Sequence, residues 1–147
     1  MQLSEHFTLE GLSYSETALR RGFDNTPNAG ETHYLQRLCD EILEPVWAQY
    51  GSLHVNSGFR SLVVNQVVGG ATNSAHLDGR AADVVPQHLS LQEAFDAIRG
   101  SALPFDQIIF ECNAWIHLAI ARDGVEPRRQ ALRATGGPGA WHYILVE

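Results

Sequence analysis

Residues Ser57–Val85 read SGFRSLVVNQVVGGATNSAHLDGRAADVV. The stretch ends in Ala81–Val85, an apolar run that holds one carboxylate, Asp83, and stops at Pro86. Such a run is the pattern of a buried strand. Ahead of it, Val68-Gly69-Gly70-Ala71 signals a loop, Gly79 marks a turn, and Arg60–Val68 suits a short helical turn. Leu53–Ser57 alternates and predicts a further short strand. On the C-terminal side, Ser90 followed by Glu93 is a capping box for a helix through Arg99, closed by Gly100. Gln107–Glu111 and Trp115–Ala121 are strand-like runs separated by Cys112-Asn113-Ala114, the spacing of a β-hairpin.

The N-terminal third is helical in pattern. Thr8 can cap Leu9–Leu12, and Ser15 with Glu16 can open a turn through Arg21 that Gly22 stops. Pro27 to Gly30 reads as a linker. Leu35, Leu38, Ile42, Val46 and Tyr50 then fall at three- and four-residue steps, which predicts one apolar helical stripe over Glu31–Tyr50. Pro45 predicts a kink or a second short helix. Helices come first, then strands mixed with one helix, and no βαβ repeat is visible. The expectation is a single α+β domain over residues 1–147, a small antiparallel sheet flanked by helices. Within it, residues 1–30 form a helical N-terminal segment. Residues 128–147 are either a returning edge strand or an appendage.

Composition narrows the function. Of 147 residues, 44% are hydrophobic and 18% charged, enough apolar mass for one core. The formal charge of −7, with all ten basic residues Arg, argues against a nucleic-acid surface and against a polybasic membrane anchor. Cys39 and Cys112 lie far apart, in no CxxC arrangement, and are read as reduced thiols. The first thirty residues lack a basic segment followed by an apolar run, so synthesis in a cytoplasm without a signal peptide is expected. A monomer is expected.

The chemistry concentrates on three residues. His76 on a loop and Asp83 on the following strand can converge on one cation, since zinc accepts both imidazole nitrogen and carboxylate oxygen. A carboxylate among Ala81, Ala82, Val84 and Val85 is costly to bury unless paired or metal-bound. Pairing with Arg80, or capping of a loop, are the other readings of Asp83. His117, between Ile116 and Leu118, suits either a third ligand or a satisfied core histidine. His6, His33, His54 and His88 lack partners at ligand spacing and read as structural or exposed. No phosphate loop, GxSxG, HExxH or GxGxxG pattern is present.

Three stretches, SGFRS, NSAHLDGRAAD and FDQIIFECNAWIHL, together resemble the M15-type zinc peptidases. These include D-alanyl-D-alanine carboxypeptidases and phage endolysins that cut peptidoglycan stem peptides. Ser74, His76, Gly79, Ala81 and Asp83 meet the pattern Ser-x-His-x-x-Gly-x-Ala-x-Asp, and Trp115 and His117 meet a later Trp-x-His. The resemblance spans roughly residues 3–130 and is greatest to a short form common in phage and prophage genomes. It implies a hedgehog/DD-peptidase-like fold, a zinc ion on His76, Asp83 and His117, and a stem-peptide substrate. It implies that Arg60 binds the carbonyl oxygen or a substrate carboxylate. Ser74 would hydrogen-bond the substrate or shape the loop.

The general base is less regular. Relatives carry a Glu three residues before the last ligand, and here that position is Ala114. Glu111 is the alternative, with Asp78 second; Glu111 also reads as a solvated turn residue. Trp141-His142-Tyr143 is similar to a motif of longer relatives and makes His142 a rival to His117. The implied activity is endopeptidase cleavage of stem peptides at the cell wall, after phage-type release or on a phage particle. The rival is a non-catalytic, zinc-containing module that binds cell wall or builds a phage particle.

Overall fold

A computed structural model describes residues 1–137 and 139–146. The chain begins with two short helices, α1 (Leu9–Ser13) and α2 (Glu16–Arg21), capped by Thr8 and Ser15 through side-chain oxygens on backbone amides. Helix α3 (Ala29–Leu38) starts earlier than the expected Glu31. Asn28 and Glu31 form a reciprocal capping box there, so the Pro27–Gly30 segment is partly the helix start itself. Pro45 does not simply break the stripe. Residues Cys39–Leu43 widen into a single π-type turn, and α4 (Glu44–Tyr50) carries Pro45 in its first turn, where a missing N–H costs least. The amide of Glu44 reaches back to the carbonyl of Cys39 across that wide turn. Its packing keeps Leu38, Cys39, Ile42, Leu43 and Val46 buried together.

The remaining elements are β1 (Leu53–Ser57), α5 (Leu62–Val67), a 3₁₀ turn (Ala75–Asp78), β2 (Ala81–Pro86), α6 (Leu91–Arg99), β3 (Gln107–Glu111), β4 (Trp115–Ala119), β5 (Gln130–Thr135) and β6 (His142–Leu145). The Ser90–Glu93 capping box opens α6 as expected. The strands form one six-stranded sheet in the order β1-β2-β4-β3-β5-β6. The fold is α+β, and the sheet is larger than expected. It is also mixed, because β5 runs parallel to β3 while every other pair is antiparallel. The segment after Arg128 thus supplies two strands, with β6 at the sheet edge. Pro138 and Glu147 lie outside the described residues.

Strand alternation sorts the sheet into two faces. Ala82, Val84, Ile108, Phe110, Ile116 and Leu118 point into the core against α3, α4 and α6, with Phe95 edge-on to Phe110. Their neighbours Asp83, Ile109, Glu111 and His117 point to the opposite face, where a cleft opens that residues of α2 and α5 also border. The helical layer therefore does the packing and frees the second face for polar groups. No helix among the described residues is long and apolar enough to cross a membrane.

Candidate metal centre and active site

Register brings two of the three expected ligands together. Asp83 on β2 lies directly opposite His117 on β4, two central strands of the sheet. His76 arrives from the 3₁₀ turn whose first amides are satisfied by Ser74, its hydroxyl accepting from the His76 amide at 3.2 Å. Ser74 thus shapes the loop, and it also lines the cleft. Gly79 ends the turn at φ +82, and a Cβ there would sit 2.5 Å from the Glu31 carbonyl oxygen of α3. Gly79→Ala should therefore destabilise the fold by about 1–3 kcal/mol, from left-handed strain plus the clash. It should also weaken metal binding, because the turn that carries His76 must shift. Thermal melts and zinc titration of the variant check both.

The ligating atoms of His76, Asp83 and His117 lie within 4.8 Å of one another, and all three residues are buried. Asp83 Oδ1 is 3.2 Å from His76 Nε2 and 3.0 Å from His117 Nδ1. The rings meet edge to face at 5.0 Å. On its other nitrogen, His76 Nδ1 is 2.7 Å from the Gly58 carbonyl oxygen, which is acceptor-only. The Nδ1–H must donate there, so a neutral His76 presents a bare Nε2 lone pair to a carboxylate oxygen. Two buried acceptors at that distance repel unless a cation lies between them. Burial pulls the His76 imidazolium down, only partly offset by Asp83, so a proton is the poorer choice of cation. The donor set fits zinc, and the Gly58 contact is the outer support that a ligating imidazole normally has. Burial works to raise the Asp83 carboxyl. The two imidazoles beside it outweigh that and hold the carboxyl below its ordinary range.

Arg60 reaches the same carboxylate. Its Nη2 donates to Asp83 Oδ2 at 3.1 Å, Nη1 to Asn65 Oδ1 at 3.2 Å and Nε to Ser57 Oγ at 3.1 Å. Asp83 therefore turns one oxygen to the imidazoles and the other to Arg60. The pairing of Asp83 with Arg80 does not form. Arg80 instead donates to Asp78 at 2.9 Å and to the Ile120 carbonyl. Asp78 is held between Arg80 and Arg122, and it does not line the cleft, so it is badly placed to act as a base.

Glu111 is not a solvated turn residue. It is 8% exposed at the end of β3, opposite Trp115, whose Nε1–H donates to its Oε2 at 3.0 Å. Burial, then the charge of Asp83, push its carboxyl up to about 6. His142 sits opposite Thr135 on β6, its neighbour Tyr143 lines the cleft, and His142 does not. Among the described residues the cluster at Asp83 is completed by His117. The other histidines sit away from it: His33 pairs with Asp123, His88 meets Ser52, and His6 pairs with Glu44. Both cysteines are free thiols.

Two contributors escape a reading of the sequence. Asn65 looks like one polar residue in the apolar helix Leu62–Val67, yet it is 1% exposed while Leu62 is 61% exposed. Its amide nitrogen donates to the Ala71 carbonyl at 2.9 Å while its oxygen holds Arg60, so it ties the glycine loop to the arginine. Gly70, within this loop, must lack a side chain, since a Cβ there would strike Asn65. Asn25, in the N-terminal segment, accepts from the Ser61 amide and donates to the Phe59 carbonyl, fixing both flanks of Arg60.

Arg60, His76, Asp83, Glu111, Trp115 and His117 all line one cleft of about 620 Å³. Buried convergent donors beside a carboxyl of raised pKa, in an open cleft, compose a hydrolase site of the metallopeptidase kind. Residues 5–119 match the Peptidase M15 family, and the chain belongs to it. No curated protein matches the chain. The matched span contains all six of these residues and ends with β4, so β5 and β6 lie beyond it.

Proposed function

We propose that the chain is a zinc peptidase that hydrolyses peptide bonds in peptidoglycan stem peptides as an endopeptidase, acting as a monomer. The observation that carries this reading is the meeting of two buried imidazole nitrogens on one Asp83 oxygen, at 3.0 and 3.2 Å, with one of those nitrogens lacking a proton to give. His76, Asp83 and His117 would hold the zinc. When bound, zinc supplies Lewis acidity toward the scissile carbonyl.

The chain's own groups do the rest. Glu111 takes a proton from the attacking water and passes it to the leaving nitrogen. Arg60, already fixed by Ser57 and Asn65, faces the oxyanion that forms on the carbonyl. Trp115 keeps one Glu111 oxygen occupied and leaves the other for the proton. Ser74 borders the substrate's path. Synthesis in a cytoplasm followed by phage-type release, or carriage on a phage particle, would bring the enzyme to the wall.

Ala114 at the position where relatives carry Glu favours a second reading, a zinc-containing module that binds wall without cleaving it. Digestion of purified sacculi with zinc-loaded protein separates the two. New amino groups released from the wall, with mass spectra showing cleavage inside the cross-linked peptide, support the endopeptidase. Release of terminal D-alanine alone would make it a carboxypeptidase. Wall binding with no released amino groups would favour the module.

A further inference from the structure

The β5–β6 hairpin lies outside the span that matches the family, yet it contributes two aromatic side chains to the same cleft. Trp141 and Tyr143 line it beside Glu111 and Leu132. Cross-strand register explains how. Tyr143 pairs with Ala134, Ala134 with Glu111, and Glu111 with Trp115, so these four form one row across β6, β5, β3 and β4. Residues in such a row share a face of the sheet. Tyr143 and Glu111 are two strands, about 10 Å, apart at Cα. The residue between them is Ala134, a small side chain buried at 1% exposure, so the two larger side chains flank it on the same face.

The phenol sits among acceptors. Burial, followed by the charges of Glu111 and Asp83, raises the Tyr143 pKa, so the hydroxyl keeps its proton and can donate it to an incoming carbonyl. Tyr143 is 49% exposed and lines the cleft. His142, one residue earlier, faces the other side of the sheet, so strand alternation selects the tyrosine and not the histidine.

We infer that Trp141 and Tyr143 form the substrate-contacting wall on the β6 side of the cleft, with the Tyr143 hydroxyl donating to a backbone carbonyl of the bound peptide and the Trp141 ring packing on its side chains. The inference rests on the peptidase reading for its substrate class. It assigns specificity to a segment that the family-wide span does not contain. Arg60 and the glycine loop border the cleft on the β1 and β2 side, so an extended peptide crossing the triad meets a cation on one flank and this aromatic wall on the other.

The test uses the zinc-loaded full chain and a synthetic cross-linked stem-peptide dimer, with binding followed by calorimetry and cleavage by mass spectrometry. Tyr143→Phe should bind about tenfold more weakly, the effect of one lost hydrogen bond. Trp141→Ala should lose at least as much. Zinc content and melting temperature should match the wild type in both variants. Variants that bind as tightly as the wild type overturn the wall while leaving the peptidase reading intact. A wild type that binds without cleaving overturns the peptidase reading, and the wall then stands or falls on the variants alone. A wild type that neither binds nor cleaves overturns both.

Discussion

Glu111→Gln should leave one zinc per chain in place and lower kcat on stem peptides by about 10²- to 10⁴-fold, the usual contribution of a positioned acid or base. The expectation follows from where the side chain sits. Glu111 ends β3 inside the cleft, 8% exposed, with Trp115 donating to one of its oxygens. Its hydrogen bond is to Trp115 while the two imidazoles meet at Asp83, so its loss should not unseat the metal. Burial holds its carboxyl up to about 6, with the Asp83 charge adding to the effect. A base works ionised, so kcat/KM should rise with pH through an acid limb. Bound zinc adds positive charge and moves that limb to or below pH 6. The limb should vanish in Glu111→Gln, and pH profiles of the two proteins decide it. Wild-type turnover in Glu111→Gln would remove this residue from the reaction.

His76→Ala should lose the zinc altogether and with it all measurable cleavage. Three protein ligands are the minimum for a catalytic zinc site, and two leave affinity too low for loading at ordinary metal concentrations. The variant also frees the Gly58 carbonyl and leaves Asp83 one partner short in a buried setting. Chelation of the wild type should reproduce the loss. At free zinc about a thousand times the dissociation constant, binding adds about 4 kcal/mol to stability, so EDTA should lower the melting temperature markedly. In His76→Ala, EDTA should change nothing. Zinc retained at one per chain in that variant would mean the metal is held elsewhere.

The sequence made some of this architecture legible and hid the rest for physical reasons. The Gln107–Glu111 and Trp115–Ala119 hairpin is local, and short-range alternation with a turn between announces it. The Ser90–Glu93 box is a four-residue signal and reads equally well. Asn28 and Glu31 carry the same signal, but Pro27 and Gly30 around them mimic a linker. The π-type turn at Cys39–Leu43 preserves the apolar stripe, so periodicity cannot reveal it. Strand β5 pairs in parallel with β3 across more than twenty residues, and no local pattern encodes a pairing of that kind.

The site divides in the same way. His76, Asp83 and Glu111 announce themselves as polar groups in apolar or constrained stretches. Resemblance, not spacing, connected them to His117. The choice of Arg60 rather than Arg80 as the Asp83 partner depends on three-dimensional placement, because Arg80 is nearer in sequence. Asn65 is a buried amide on a helix that exposes Leu62, an inversion of the usual pattern that only the fold explains. Tyr143 entered the sequence reading as a neighbour of His142, and the two-residue period of a strand reversed their importance.

Anomalous diffraction at the zinc edge, from crystals of protein loaded with a single equivalent, tests the central geometry most directly. One peak is expected at the Asp83 carboxylate, with His76 and His117 nitrogens and an Asp83 oxygen at about 2.0–2.2 Å and a fourth corner open to water. A peak instead at His142, or at the Glu5, His6 and Glu44 group, with none beside Asp83, would contradict it.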